Sequence, residues 1–466
     1  MSTFRSGGGL VNQTRRMCEQ VVCVAVVLAL GASLTPSPVG AESARFEGDS
    51  RCGNPTCHGA GLPTTEAQKK TWRPWKSART QWLNRNIDHH SRAYATLETP
   101  EGKTIATYMG IEATSSDKCL VCHAPEATNA PDGHYQRRDG VSCEHCHGPS
   151  EFWLKPHVEK DWKEKKAQFF SRGFYDNANF KLRAEKCASC HVEIDHEIVA
   201  GGHPPLQFEM VAYAQIMKHW DDQKNLPEGA FSADPTLWSV GQVTGLRNAA
   251  AMIARRAGDT NYQAIGKFSH FEDKNCYQCH HKLLDDAVRQ AQGHYDMVDA
   301  IMAAMFPDQR DDLAGIWNAV TAGVRSGADQ AKQQATRLEQ WLAPYEQRIV
   351  ERKVDQATAK RCLERITASG EKFKAIRRFS YSRPATSNVT RIDNIGEPWW
   401  YTTGAPEQAI LAIQALCEPA FPGRCGKGPG GIEDDLRRLL AAVDRFDYRP
   451  DQFAQALSAV RAKLFK

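Results

Sequence analysis

The chain has 466 residues, enough for two or three domains, and its 59 basic and 55 acidic residues leave a formal net charge of +4. No basic tract marks a nucleic-acid surface, and a hydrophobic content of 41% is modest for a chain of this length. Beyond the N-terminus no stretch is apolar enough to span a bilayer, which excludes a membrane span in the mature chain.

At the N-terminus Arg5, Arg15 and Arg16 precede the apolar run VVCVAVVLALGA, and Val39 and Ala41 are suitably small and placed for cleavage after Ala41. The segment reads as a secretory signal peptide over 1–41, because the apolar run is too short for a comfortable membrane span. An uncleaved anchor is the alternative. Export would place the mature protein in the periplasm and remove Cys18 and Cys23 with the leader.

Next along the chain, two cysteines followed directly by a histidine recur five times, as CGNPTCH, CLVCH, CEHCH, CASCH and CYQCH. The cysteines are Cys52 and Cys57, Cys119 and Cys122, Cys143 and Cys146, Cys187 and Cys190, and Cys276 and Cys279. The adjacent histidines are His58, His123, His147, His191 and His280. This is the attachment pattern of haem c: two thiols add to the vinyl groups, and the histidine is held beneath the iron as proximal ligand. The first motif has four residues between its cysteines where the others have two, so its loop must bulge between the same two thioether positions. Structural zinc and exported disulfides also use paired cysteines. Neither explains a histidine after the second cysteine in every case. Five covalent haems are expected, and a core that is partly porphyrin fits the modest hydrophobic content.

All five motifs lie between Cys52 and His280, with Gly-, Pro- and Asn-containing loops such as APEATNAPDG and NLPEGAFSADP between them. Short helices and irregular connections around clustered haems are expected there, with little sheet. From about Asp285 the texture changes. DDAVRQAQGHYDMVDAIMAAM, the run from Asp311 to Val350, TTGAPEQAILAIQAL and RPDQFAQALSAVRAKLF carry apolar residues at helical spacing. The chain therefore reads as mainly α: a multihaem cytochrome c domain over 42–285 and a C-terminal helical bundle over 286–466. Cys417 and Cys425 are near enough to form a disulfide, with Cys362 left over; free buried cysteines are the equal alternative.

Eleven histidines remain after the five proximal ones are set aside from the total of 16. They cluster in the motif half and suffice for iron ligated by histidine on both faces, whereas few methionines fall near the motifs.

DHHSRAYATL, CLVCHAP and DGVSCEHCHGPSEFWLKPH resemble the multihaem cytochromes of the cytochrome c-554 type. CASCHVEIDHEIVAGGHPPLQFEMVAYAQIMKHW and NCYQCHH are similar to segments of larger members, so the resemblance runs from about residue 45 to 290. It implies clustered, mostly bis-histidine haems that relay electrons between redox partner proteins. It also implies distal roles for His90, before the second motif, and for His157, after CHGP. His203 and His196 are further distal candidates. Such ligands would cap one motif's haem from another's loop. The type member carries four haems; this chain has five motifs and a long helical C-terminus.

The same resemblance implies a rival activity. In the tetrahaem relative the haem of the motif matching CLVCH lacks a distal ligand, and an open iron there could reduce nitrite, hydroxylamine or nitric oxide. GGHPPLQFE is faintly similar to the HPE-like segment of pentahaem nitrite reductases, but their C-x-x-C-K motif is missing. Electron relay is the preferred reading.

Overall fold

The computed structural model describes residues 44–84, 87–125, 134–191, 198, 201–203, 206, 208–217, 219, 234–258, 283–374, 405–428, 430–443 and 448–466. The proposed leader, His196 and the fifth motif with Cys276, Cys279 and His280 lie outside the described residues.

The described motif half is built of short helices joined by turns: α1 (Asp49–Cys52), α2 (Glu66–Thr71), α3 (Ala78–Leu83), α4 (Ala93–Leu97), α5 (Pro100–Met109), α6 (Asp117–His123), α7 (Cys143–His147), α8 (Trp162–Lys165), α9 (Phe180–Ala188) and α10 (Met210–Ile216). Local signals account for several boundaries. Thr99 caps α5 by accepting from Gly102 N–H, Pro100 occupies its first turn, and Gly110 closes it in the left-handed region at φ 65°. Asn179 caps α9, accepting from the Lys181 and Leu182 amides. This half has little aliphatic core of its own. Leu97, Ala106, Ala113, Leu120 and Ala124 form one small cluster between α4, α5 and α6.

The bundle follows: α11 (Pro235–Gly258), α12 (Leu283–Met305), α13 (Arg310–Ser326), α14 (Ala328–Arg352), α15 (Gln356–Thr367), α16 (Gly370–Lys374), α17 (Ala405–Ala420), α18 (Glu433–Ala442) and α19 (Pro450–Leu464). In α14 the buried Ala331, Ala335, Leu338, Leu342, Tyr345 and Ile349 recur every three or four residues, the stripe of a helix that packs on one side. By contrast α11 is buried nearly all round, from Leu237 to Ala257, because α9, α12 and α14 pack against it. The bundle core thus already includes chain that precedes the fifth motif.

One continuous apolar core runs from Ala184 and Ala188 in α9 through α11 to Leu464 in α19. The motif half is fastened to it by charge as well. Arg247 in α11 lies 3.3 Å from the Glu185 carboxylate of α9 and also pairs with Glu346 of α14, a fully buried side chain that accepts from Thr244 Oγ1 at 2.8 Å. Cys417 and Cys425 are joined as a disulfide, and Cys362 is a buried free thiol. Among the described residues there is no strand, only an isolated bridge between Val443 and Tyr448, and no helix long and apolar enough to cross a membrane.

Candidate haem centres

In the four described motifs the backbone brings the histidine back over the first cysteine. α6 and α7 each span their whole motif. In CASCH, which straddles the end of α9, His191 N–H donates to Cys187 O at 2.9 Å. The longer CGNPTCH loop reaches the same result by another route. Asn54 Oδ1 accepts from the Thr56 amide and hydroxyl at 2.9 and 2.8 Å, and Cys57 N–H returns to Asn54 O at 2.8 Å. His58 N–H then donates to Cys52 O at 3.2 Å. A Cβ on Gly59 would collide with the Gly53 carbonyl, so the close of the loop needs glycine. The two extra residues are absorbed in the turn, and the relation of histidine to first cysteine is preserved.

Each of these histidines faces a second one. Ring centres are 6.1 Å apart for His58 and His157, 6.2 Å for His123 and His203, 6.0 Å for His147 and His219, and 5.9 Å for His191 and His90. A metal–imidazole bond is about 2 Å and the ring nitrogen lies roughly 1 Å from the ring centre, so two imidazoles on opposite faces of one metal have centres about 6 Å apart. The residues present therefore fit a six-coordinate iron whose other four ligands come from a macrocycle. Among the described residues no group of three or more His, Cys, Asp or Glu could hold a bare ion.

The ring tautomers fit as well. Nδ1 lies 2.7 Å from the Trp75 carbonyl in His58, 2.7 Å from that of Ala93 in His123 and 2.6 Å from that of Leu154 in His157. Each Nδ1 must carry the proton it donates, which leaves the Nε2 lone pair bare for a metal. His90 differs: its Nδ1 lies 2.8 Å from the Asp88 carboxylate. His191 Nδ1 is buried with no hydrogen-bond partner among the described residues, and Tyr213 packs on that ring at 4.4 Å.

Burial favours the neutral, ligating form. It pushes His147 down to about 3, with the neighbouring His219 and His58 adding to the effect, and it pushes His191 and His219 down to about 4. His123 and His157 are lowered for the same reason. Burial also pulls His90 down, but the hydrogen bond and charge of Asp88 outweigh it and its net shift is upward.

Of the distal candidates, the structure brings His90 to the fourth motif, His157 to the first and His203 to the second. His219, facing the third, carries no mark in the sequence beyond being one histidine among many. It follows α10, whose fold delivers it. His90 is held in a turn by Val141 N–H, which donates to its carbonyl at 3.0 Å; Gly140, at φ 64°, approaches so closely that a Cβ would strike that carbonyl. The spare histidine of CEHCH has a scaffolding place: His145 Nδ1 bonds Ser142 and its Nε2 lies 2.9 Å from the Pro125 carbonyl. In the bundle His294 Nδ1 lies 2.9 Å from Gln242 Oε1.

Contacts between segments also sort the motifs in space. The Glu47 and Gly48 amides donate to the Glu144 carboxylate at 3.0 and 2.7 Å, which joins the first motif to the third. Cys122 Sγ lies 4.0 Å from the Cys190 carbonyl and Cys190 Sγ 3.9 Å from that of Val121, which joins the second to the fourth. Tyr175 N–H donates to His147 O and Asn177 Nδ2 to Cys146 O, both at 2.8 Å, which sets the third beside the segment that leads through α9 into the fourth. The spatial order is second, fourth, third, first.

No curated protein and no solved structure matches the chain. Residues 52–148, the segment carrying the first three motifs, match the family described as cytochrome c554 and c-prime, which supports a likeness to c-554-type cytochromes.

Proposed function

We propose that the protein is an exported, periplasmic multihaem cytochrome that relays electrons between partner proteins through five covalent haems. The c-type cytochrome match supports an electron-transfer role. In this reading Cys52 and Cys57, Cys119 and Cys122, Cys143 and Cys146, and Cys187 and Cys190 fix four haems, and Cys276 and Cys279 fix a fifth with His280 as proximal ligand. His58 with His157, His123 with His203, His147 with His219, and His191 with His90 hold four irons from both faces.

The single observation that carries the proposal is the set of four opposed histidine pairs at 5.9–6.2 Å. Bound haem supplies reversible one-electron exchange at iron. The histidines keep small molecules from the metal, because a strong ligand must leave before one can enter. This disfavours a reductase at the CLVCH motif, where the family resemblance implied an open iron but His203 faces His123 at 6.2 Å. Hydrogen bonds between segments of different motifs keep the attachment edges close, and the α9–α11 contact lets the bundle brace the fourth motif.

The test is made on the purified holoprotein. Its mass should exceed the mature polypeptide by five haems. Ferric spectra should show low-spin iron at the four paired motifs, and the reduced protein should pass electrons to a partner cytochrome without turning over nitrite, hydroxylamine or nitric oxide. Turnover on the order of 1–10³ per second with any of these would overturn the relay reading.

A further inference from the structure

We propose that Asp88 holds the haem fixed by Cys187 and Cys190 at a lower reduction potential than the haems of the first and second motifs. The inference rests on the reading that His90 and His191 are that haem's axial ligands.

Asp88 is buried, with a side chain 5% exposed, and its Oδ1 accepts from both Nδ1 and the backbone N–H of His90, at 2.8 and 2.9 Å. The corresponding partners of His58, His157 and His123 are backbone carbonyls. A carbonyl is neutral; a carboxylate carries a full charge and forms a stronger, charge-assisted bond. It draws the Nδ1 proton away from the ring and increases electron donation from Nε2. More donation favours Fe(III) over Fe(II), which is a recognised lever on haem potential. The buried negative charge acts in the same direction, since the ferric centre has one more positive charge to stabilise at low effective dielectric. No lysine or arginine pairs with Asp88 among the described residues; its side-chain partner is the His90 ring. The couple is one electron added to Fe(III) to give Fe(II), with Asp88 ionised in both states.

Position gives the effect a consequence. Cys190 lies against Cys122 and Val121, and the third motif is bonded to Tyr175 and Asn177 ahead of α9, so the fourth motif stands between the second and the third. Asp88 therefore places a step harder to reduce than the first and second between neighbouring haems of the described motifs. Electrons entering at either side would collect on the neighbouring haems of higher potential and cross the fourth as an uphill step.

The test is a potentiometric titration of the full holoprotein followed by optical and electron paramagnetic resonance spectra. The ring planes provide the label. Parallel axial imidazoles split two iron d orbitals strongly and crossed ones leave them nearly degenerate, so the two geometries give different ferric signals. The His191–His90 and His123–His203 planes cross at 87° and 77°, whereas those of His58–His157 and His147–His219 meet at 15° and 29°. In the unaltered protein the crossed-plane signal should be lost in two steps, one of them at lower potential than the first-motif haem. Loss in a single step overturns the inference without any variant. Asp88→Asn keeps an oxygen acceptor and removes the charge. It should raise one crossed-plane haem so that its reduced-to-oxidised ratio at the original midpoint increases at least tenfold, which is about 59 mV. Asp88→Glu should stay near the original midpoint. An unchanged titration in Asp88→Asn, or an equal shift in both variants, overturns the role of charge. His90→Ala separates the two layers of the argument. If it leaves every haem low-spin, the ligand reading itself fails. If it converts one haem to high spin while Asp88→Asn changes nothing, only the present inference fails.

Discussion

Replacing His203 by alanine bears most directly on whether this protein carries or converts. His203 is presented by a turn in which its N–H donates to Ile198 O at 3.1 Å, and its ring centre stands 6.2 Å from that of His123. Truncation to alanine removes an imidazole and frees roughly 60 Å³, about twice a water molecule's share of liquid volume, so water or a diatomic molecule fits in its place. The turn keeps its backbone bond, and the change should stay local. We expect one haem equivalent to pass from low to high spin, and carbon monoxide uptake by the reduced protein to rise by one equivalent over the unaltered protein. The other three described pairs should keep their spectra. Spectral titration with carbon monoxide and resonance spectra of the ferric form measure both quantities on one sample. A variant that stays fully low-spin would refute the pairing of His123 with His203. Unaltered protein that already binds a diatomic molecule at the CLVCH haem would refute the argument that this iron is closed.

Three further outcomes follow from the same geometry. Ferric spectra of the holoprotein should contain two crossed-plane and two near-parallel low-spin species for the described motifs; a single class would contradict the ring angles. Glu144, 1% exposed, accepts the Glu47, Gly48 and Ser150 amides at 3.0, 2.7 and 2.7 Å, so Glu144→Ala strands two buried donors and one half-buried one. It should cost about 3–5 kcal/mol in denaturant unfolding, and a loss below about 1 kcal/mol would show that water replaces the carboxylate. Replacing both Cys417 and Cys425 by serine opens a loop of sequence separation 8 and should destabilise the bundle by about 2–3 kcal/mol, with the spectra of the four described haems unchanged. A spectral change there would mean that the bundle reaches further into the haem sites than its contacts through α9 indicate.

The attachment chemistry is written locally, and so it is legible in the chain. Two cysteines and a histidine within five or seven residues fix their own geometry through a single helical turn or an Asx turn, whatever surrounds them. Helical periodicity is equally local: the stripe of α14 and the Thr99 and Asn179 caps are visible in the residues themselves. The family resemblance pointed to His90, His157 and His203 as second ligands, but not to the motif that each one meets. His90 precedes the second motif and faces His191 of the fourth, and His219 had no signal at all. Pairing of this kind is a long-range contact between loops. Its specificity comes from which segments the fold brings together, with α4 packed on α6 and both α9 and α10 on α11, and nothing in the spacing of a lone histidine records it. The all-round burial of α11 was hidden for the same reason, since only neighbours on every side decide that a helix is central. The sequence by itself determined where haem is bound covalently and which stretches coil into helices, because those depend on residues within one turn of each other. Tertiary structure alone decided which histidine faces which, and that the Asp88 carboxylate meets the ring of His90 opposite His191, because the pairing depends on segments that meet only when the chain has folded.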